Sequence, residues 1–574
     1  MKGTLRALGA GVVLVAGLLS DPGELAAQYD APPPPAAYAI QNATVVTPDG
    51  TRTAGVVLVV RDGRVETLSP GAEVPADAEI LEGDSLFVYP GLVDAVAEVD
   101  VEFPDAADDG DDVLAWDPPR SASGFLPHRE VSHHLAATGE DVADLRAHGI
   151  VAGLVHPDGG MAPGQPAVVL LRADADAPWE LVTAESAGLT MSFQQAAGVY
   201  PSQLFGVIAY LRQAFFDAER YGTIRAAYAR STDGMTAPSW DPDYEALRTA
   251  ATGAAPVFFE ADSDEDIRRV LNLADELGFQ PVIVGGTEAW KLADELAERD
   301  VTVLVTTDFP DPDEWDPEAD TIDAELEPDA AREKERIVAA WSNAGRLEAA
   351  GVTFALTSAG GQGDLLEGAR KAVEHGLSRE GALRALTRVP AGMLGLPALS
   401  RVVQGGGATF LVADGDLLDE GTGVVYTFVE GVLEKGEASG GGGGGEAPAS
   451  DVSGAWEGTV GAQGMDIGLT MTLTMEADGS LSGTMVAEGQ GEAPVSGSVS
   501  GRDVTLIIEA EGMPEPIRLT GTLSEDGTTI TGGGSTVMGD MQFRVTKSPG
   551  SAGAVRSWAD LFGGTRTNET GGAR

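Results

Sequence analysis

The chain has 574 residues, well beyond the ~100–150 of a typical single domain, and 43% of them are hydrophobic, enough for a sizeable core. Ninety Asp and Glu against 36 Lys and Arg leave a net charge of -54, a surface that repels phosphate backbones and so argues against nucleic acid as a partner. With no cysteine, disulfides, thiolate metal sites and a cysteine nucleophile are excluded.

The start reads as an export signal over residues 1–27. Lys2 and Arg6 precede an apolar run at 7–19, shorter than the ~20 residues that span a bilayer, and Leu25-Ala26-Ala27 before Gln28 forms a cleavage-type site. This predicts a periplasmic or extracellular protein with no transmembrane span in the mature chain; a retained N-terminal anchor is the alternative. A proline-rich spacer follows at 28–37. Alternating and apolar runs at 38–46, 55–60 and 85–88 then predict strands, with turns at Pro48-Asp49-Gly50 and Asp62-Gly63.

From residue 149 the pattern changes. Strand-like runs at 150–155, 167–171, 256–259, 281–284, 301–305 and 352–357 alternate with helical periodicity at 201–230, 264–277, 288–298, 331–349, 365–375 and 382–396, broken by an acidic insertion at 308–329. Repeated strand–helix units with near-continuous apolar strands predict a parallel sheet covered on both faces, and the span suits a (β/α)8 TIM-type barrel of ~250 residues plus insertions. Strands return at 408–412 and 424–429, so 38–88 and 397–436 are read as one composite β domain around a barrel at 89–396. A glycine-rich linker at 437–451 leads to an all-β unit at 452–547, whose roughly eight Thr- and Val-rich runs suit a small antiparallel barrel or a sandwich. The tail at 548–574 is read as disordered.

Several segments carry a family likeness. Asn42-Ala43-Thr44-Val45-Val46, Asp62-Gly63-Arg64-Val65 and Val88-Tyr89-Pro90-Gly91-Leu92-Val93-Asp94 resemble the entry to the amidohydrolase superfamily, close to its imidazolonepropionase-like branch. The segments Ala382-Leu383-Arg384-Ala385-Leu386-Thr387, Ala408-Thr409-Phe410-Leu411-Val412 and Val429-Glu430-Gly431 resemble its closing helix and strands, so the likeness covers about 38–435. The resemblance implies hydrolysis of non-peptide C–N bonds by one or two divalent ions at the C-terminal mouth of the barrel, where the metal activates water and polarises the substrate carbonyl. It also implies where ligands belong. The His-x-His positions of the first strand read Val96 and Glu98 here. A later imidazole-bearing strand reads Phe259-Glu260-Ala261-Asp262, a His-Gly-Thr-type strand end reads Gly285-Gly286-Thr287, and the position of the last strand's Asp reads Ala359.

Six histidines remain, and of these only His156, just after a strand, is expected near the barrel mouth. His133 and His134 are adjacent and point apart, His148 and His375 each precede a glycine at a helix end, and His128 is in no motif. The candidate site residues are therefore Glu98, Glu260, Asp262, Asp308 and His156. No cofactor is assigned; a cluster of oxygen ligands would favour Ca, Mg or Mn. Three functions follow: a catalytically degenerate superfamily member that binds or scaffolds, with a small-molecule ligand, as a homo-oligomer or beside an active relative; a hydrolase using a hard cation at Glu98, Glu260 and Asp262; or a ligand- or surface-binding protein acting through 452–547. The Gly159–Gln165 stretch (159–165) lacks phosphate-loop spacing and reads as a turn or a substrate-contacting loop, and the aromatics of 200–221 read mainly as core.

Overall fold

Strands β1 (Ala37–Val46), β2 (Arg52–Arg61) and β3 (Arg64–Pro70) form an antiparallel meander. The β2–β3 turn is Asp62-Gly63, both with positive φ (49° and 72°), the backbone that a tight two-residue hairpin demands. β4 (Ala78–Ile80) and β5 (Phe87–Pro90) add to β1 in parallel. The computed structural model describes residues 37–81, 86–104, 114–309, 328–358, 365–436, 450, 452–462, 465–475, 480–487, 492–500, 502–508, 517–524, 527–536 and 539–547. The expected signal segment, most of the acidic insertion and of the linker, Ala359 and the tail lie outside the described residues. Among the described residues no helix is long and apolar enough to cross a membrane.

Two sheets follow. β6 (Leu92–Asp94) runs parallel to β7 (Ile150–Val155), and β8 (Ala167–Leu170) and β9 (Val182–Ala184) extend that sheet antiparallel. β10 (Leu189–Met191), β11 (Pro256–Ala261), β12 (Gln280–Gly285), β13 (Thr302–Thr306) and β14 (Phe354–Thr357) form a parallel sheet in chain order. The described strands thus differ from an eightfold parallel barrel: two and five parallel strands lie in separate sheets, and the 167–171 run is antiparallel. The physical reason is the connection. A parallel return needs a crossover of a dozen or more residues, usually a helix, whereas 156–166 carries none.

Alternation along these strands sorts their side chains. Val93, Ala95, Phe258, Val282, Val284, Leu304 and Ala355 share one buried cluster, with Ala391 and Leu394 closing it. Their neighbours Val257, Phe259, Ile283, Val303 and Val305 belong to another, packed with the helices. Helix Asp264–Leu277 shows why the helices form where they do. Ser263 caps it by accepting from Asp266 N at 3.1 Å, three acids occupy the first turn, Ile267, Val270, Leu271 and Ala274 face inward, and Gly278 ends it in the left-handed region. The expected helix at 382–396 is interrupted: Arg379–Leu383 and Val389–Met393 flank a π-helical turn, Arg384–Arg388. Pro390 has no N–H to give to the preceding turn, and Thr387 Oγ1 donates to Leu383 O at 2.5 Å.

β15 (Phe410–Ala413), β16 (Val424–Val429) and β17 (Val432–Lys435) then join the first sheet through β15–β5 pairing, giving the order β17-β16-β15-β5-β1-β2-β3 with β4 beside β1. Ala408 N donates to Gly63 O at 2.9 Å, so this β-sandwich region folds back around Ile40, Leu58, Val88, Phe410 and Phe428.

The C-terminal strands β18 (Gly454–Ala462), β19 (Met465–Met475), β20 (Ser480–Ala487), β21 (Glu492–Ser500), β22 (Asp503–Ile508), β23 (Ile517–Leu523), β24 (Thr529–Thr536) and β25 (Gly539–Lys547) close into an antiparallel barrel. The sequence left barrel and sandwich open; pairing of β18 with β25 decides for the barrel. Its interior is filled by Trp456, Leu473, Leu506, Ile530, Phe543 and their neighbours. Gly458 lies between buried Trp456 and Val460 in the inward alternation, and a Cβ there would collide with the carbonyl oxygen of Arg544 on β25. Gly458→Val is expected to destabilise this barrel by about 1–3 kcal/mol, the usual cost of overpacking. Hydrogen exchange should speed up in β18 and β25 peptides, and unchanged exchange there would reject the close approach.

Candidate functional site

The C-terminal ends of the parallel strands gather at one place, held together by two buried polar links. The first is Asp94, at the end of β6 and 1% exposed. Its carboxyl accepts from Val96 N (3.0 Å), Thr357 Oγ1 (2.5 Å), Ser358 Oγ (2.5 Å) and Ser358 N (3.3 Å), so it ties the start of one sheet to the last strand of the other. Burial pushes its pKa up, and the hydrogen bonds pull the other way.

The second link is His156, just past β7. Its Nε2–H donates to Ala95 O at 3.2 Å, and its Nδ1 accepts from Thr190 Oγ1 on β10 at 3.1 Å, the tautomer following from the carbonyl being an acceptor only. The ring stands edge-on to Phe258, centroids 5.3 Å apart. Burial lowers its pKa to about 4. The imidazole is therefore neutral near pH 7, and both nitrogens are committed.

Above these links lies a cavity of about 690 Å³. Its walls include Val96, Ala97, Glu98, Val99, Asp100, Val101 and Phe103 after β6, His156 and Asp158 after β7, Glu260 and Asp262 at the end of β11, Gly285 and Thr287 after β12, and Thr306 and Asp308 after β13. All the sequence candidates, Glu98, Glu260, Asp262, Asp308 and His156, are brought together here. Asp100 and Asp158 were missed; the signal for Asp158 was its place two residues beyond His156, on the same side of an extended chain. Among the described residues no lysine or arginine lines the cavity.

Glu260 opens onto the cavity but sits among protein atoms, and this desolvation, with the charges of Asp158 and Asp262, raises its pKa to about 7. Asp262 Oδ1 accepts from Thr287 Oγ1 at 2.8 Å. Gly285, with φ 92°, leaves room for that carboxylate: a Cβ at 285 would collide with Asp262 Oδ1. Of the other positions where the resemblance expects ligands, Val96 and Glu98 line the wall and Ala359 lies outside the described residues. The remaining histidines are elsewhere. His128 Nδ1 contacts Asp243 Oδ1 at 2.5 Å, His133 contacts Glu130, His134 packs on Phe103, His148 contacts the Asp144 carbonyl, and His375 packs on Trp341. The glycine-rich loop does not line the cavity either: Gly160 packs against Gly124 and its N–H donates to Gln194 Oε1 at 2.5 Å. Phe205 and Phe216 are exposed while Phe215 and Tyr221 are buried.

No family model matches the sequence, and no curated protein matches it. Solved structures do. An amidohydrolase from Thermotoga maritima MSB8 aligns over 70% of this chain and 100% of its own, with 24% identity and a TM-score of 0.55. The chain shares the fold of that amidohydrolase. A prolidase complexed with N-methylphosphonate-L-proline (15% identity, 70% and 100% coverage, TM-score 0.40) and a Xaa-Pro dipeptidase with bound methionine (16%, 70% and 100%, 0.40) are more distant.

Amidohydrolase chemistry at this mouth would need a metal, and the residues do not fit the usual histidine-held ion. His156 has no free nitrogen, Gly285 has no room for a side chain, and Val96 offers no donor atom. Among the described residues no three His, Cys, Asp or Glu side chains converge closely enough to hold an ion.

Asp94→Ala is expected to lower stability by on the order of 3 kcal/mol, because it leaves several buried donors unpaired at about 1–3 kcal/mol each; urea unfolding against Asp94→Asn, which keeps an acceptor, measures it. Glu260 gives a pH signature. Its folded pKa of about 7 exceeds the usual carboxylate value, so the folded state holds the proton more tightly, and stability is lost as pH rises from about 4.5 through 7. Glu260→Gln should raise the melting temperature at pH 8 and change little at pH 4.5; an equal shift at both would mean that the charge is not the cause.

Proposed function

We propose that this protein is a binding member of the amidohydrolase superfamily: the barrel-type mouth is kept as a ligand site, and hydrolysis of C–N bonds by a histidine-held metal has been lost. The observation that carries this reading is His156. In the strand-end layer where a ligand histidine would be useful, the only imidazole spends both nitrogens on Ala95 and Thr190 as a structural link. The cavity volume, about 690 Å³, lies in the range of roughly 300–1,000 Å³ usual for small-molecule sites. In such barrels, ligands bind at the C-terminal ends of the strands. The interior of the C-terminal β-barrel is filled by its own side chains, which leaves the α/β mouth as the ligand site of this reading.

The test is elemental analysis of protein purified without chelators, counting Ca, Mg, Mn, Zn and Fe, with turnover assays on amides, carbamates and imides before and after each ion is added. Metal well below one equivalent and no ion-dependent turnover are expected. Stoichiometric metal with turnover that Glu260→Gln abolishes would replace this reading with a hydrolase using a carboxylate-held cation.

A further inference from the structure

We propose that the cavity takes a small organic cation, an amine or guanidinium carried on an apolar body, with its charged head directed at Glu260. This rests on the binding role above and names the class of ligand. The site itself is given by the fold: a cleft at the C-terminal ends of the parallel strands. The composition of the walls then selects the occupant.

The charge is of one sign. Glu98, Asp100, Asp158, Glu260, Asp262 and Asp308 line the space, and His156, neutral and fully committed, contributes no positive charge. The nearby guanidinium of Arg129 lies over the Phe103 ring, 4.8 Å from its centroid, and is not part of the lining. An anionic or uncharged ligand would leave this charge unopposed, whereas a cation offsets it in a partly desolvated space where the attraction is strongest.

The arrangement of the acids and the apolar wall separates an organic cation from a bare ion. Among the described residues the carboxylates are spread around the cavity, without the three-fold convergence that a divalent ion requires. Asp262 is engaged by Thr287, whereas Glu260 is exposed to the cavity at the end of β11. Val96, Val101 and Phe103, all partly exposed, supply apolar surface beside it. A hydrated metal gains nothing from that surface; a hydrocarbon or aromatic body does.

The experiment uses the full chain after EDTA treatment and titrates 4-phenylbutylamine, 4-phenylbutanol and 4-phenylbutyrate by calorimetry. The amine is expected to bind at least about tenfold more tightly than the alcohol, and the carboxylate not measurably. Its affinity should fall with rising salt. Glu260→Gln should weaken the amine about tenfold or more and leave the alcohol unchanged. Val96→Trp, which fills the mouth, should abolish amine binding, with circular dichroism to check that it folds; Glu260→Gln stands as the test if it does not. Alcohol or carboxylate binding as tight as the amine and lost in Val96→Trp overturns the ligand class and leaves the binding role standing. Amine binding unaffected by Glu260→Gln, or absent at millimolar concentration, also overturns the ligand class. A divalent ion that binds stoichiometrically and switches on amide hydrolysis overturns the binding role itself.

Discussion

The α/β part of this protein depends on one buried carboxyl group. Asp94 ends a strand of only three residues and reaches across to Thr357 and Ser358 at the end of the last parallel strand. Among the described residues β6 and β14 are not paired by backbone, so this side-chain bridge stands where strand pairing would close a regular barrel. His156 and Thr190 make the corresponding bridge on the opposite side, between β7 and β10. Buried polar groups of this kind are costly when unpaired and restrictive when satisfied, and here they tie the end of β6 to β14 and the end of β7 to β10.

The same construction constrains the chemistry. A histidine that holds two strands together through both nitrogens is not available as a base or a ligand, and burial keeps it uncharged. Asp262 likewise leans into the space left by Gly285 and is held by Thr287. The polar groups nearest the floor are thus structural, and the acids further out are left to interact with whatever enters. Glu260 stands between the two sets: deep enough for its proton affinity to rise, yet open to the cavity.

Much of the architecture was legible because it rests on local rules. The shift from alternating apolar runs to strand–helix units marked the α/β part, and the Thr- and Val-rich runs after the linker marked the all-β unit. Glu98, Glu260 and Asp262 were singled out by the family resemblance and Asp308 by following a strand, and all four line one cavity. What was misread depends on connections. The 167–171 run has the same apolar character whichever way it runs, and only the absence of a helix in 156–166 turns it antiparallel. The π-helical turn before Pro390 breaks a helix whose periodicity looked continuous.

The sequence by itself determined the alternation of elements, the all-β character of the C-terminal unit and the excess of acid, because each is a property of residue type and spacing along the chain. Only the tertiary structure decided that the C-terminal strands close into a barrel, that Asp94 and His156 bridge the two sheets, and that Asp100 and Asp158 join the acids of the mouth. Those outcomes depend on which side chains meet across distances of tens to hundreds of residues, and hydrogen-bond satisfaction in a buried space is settled only when the space is formed.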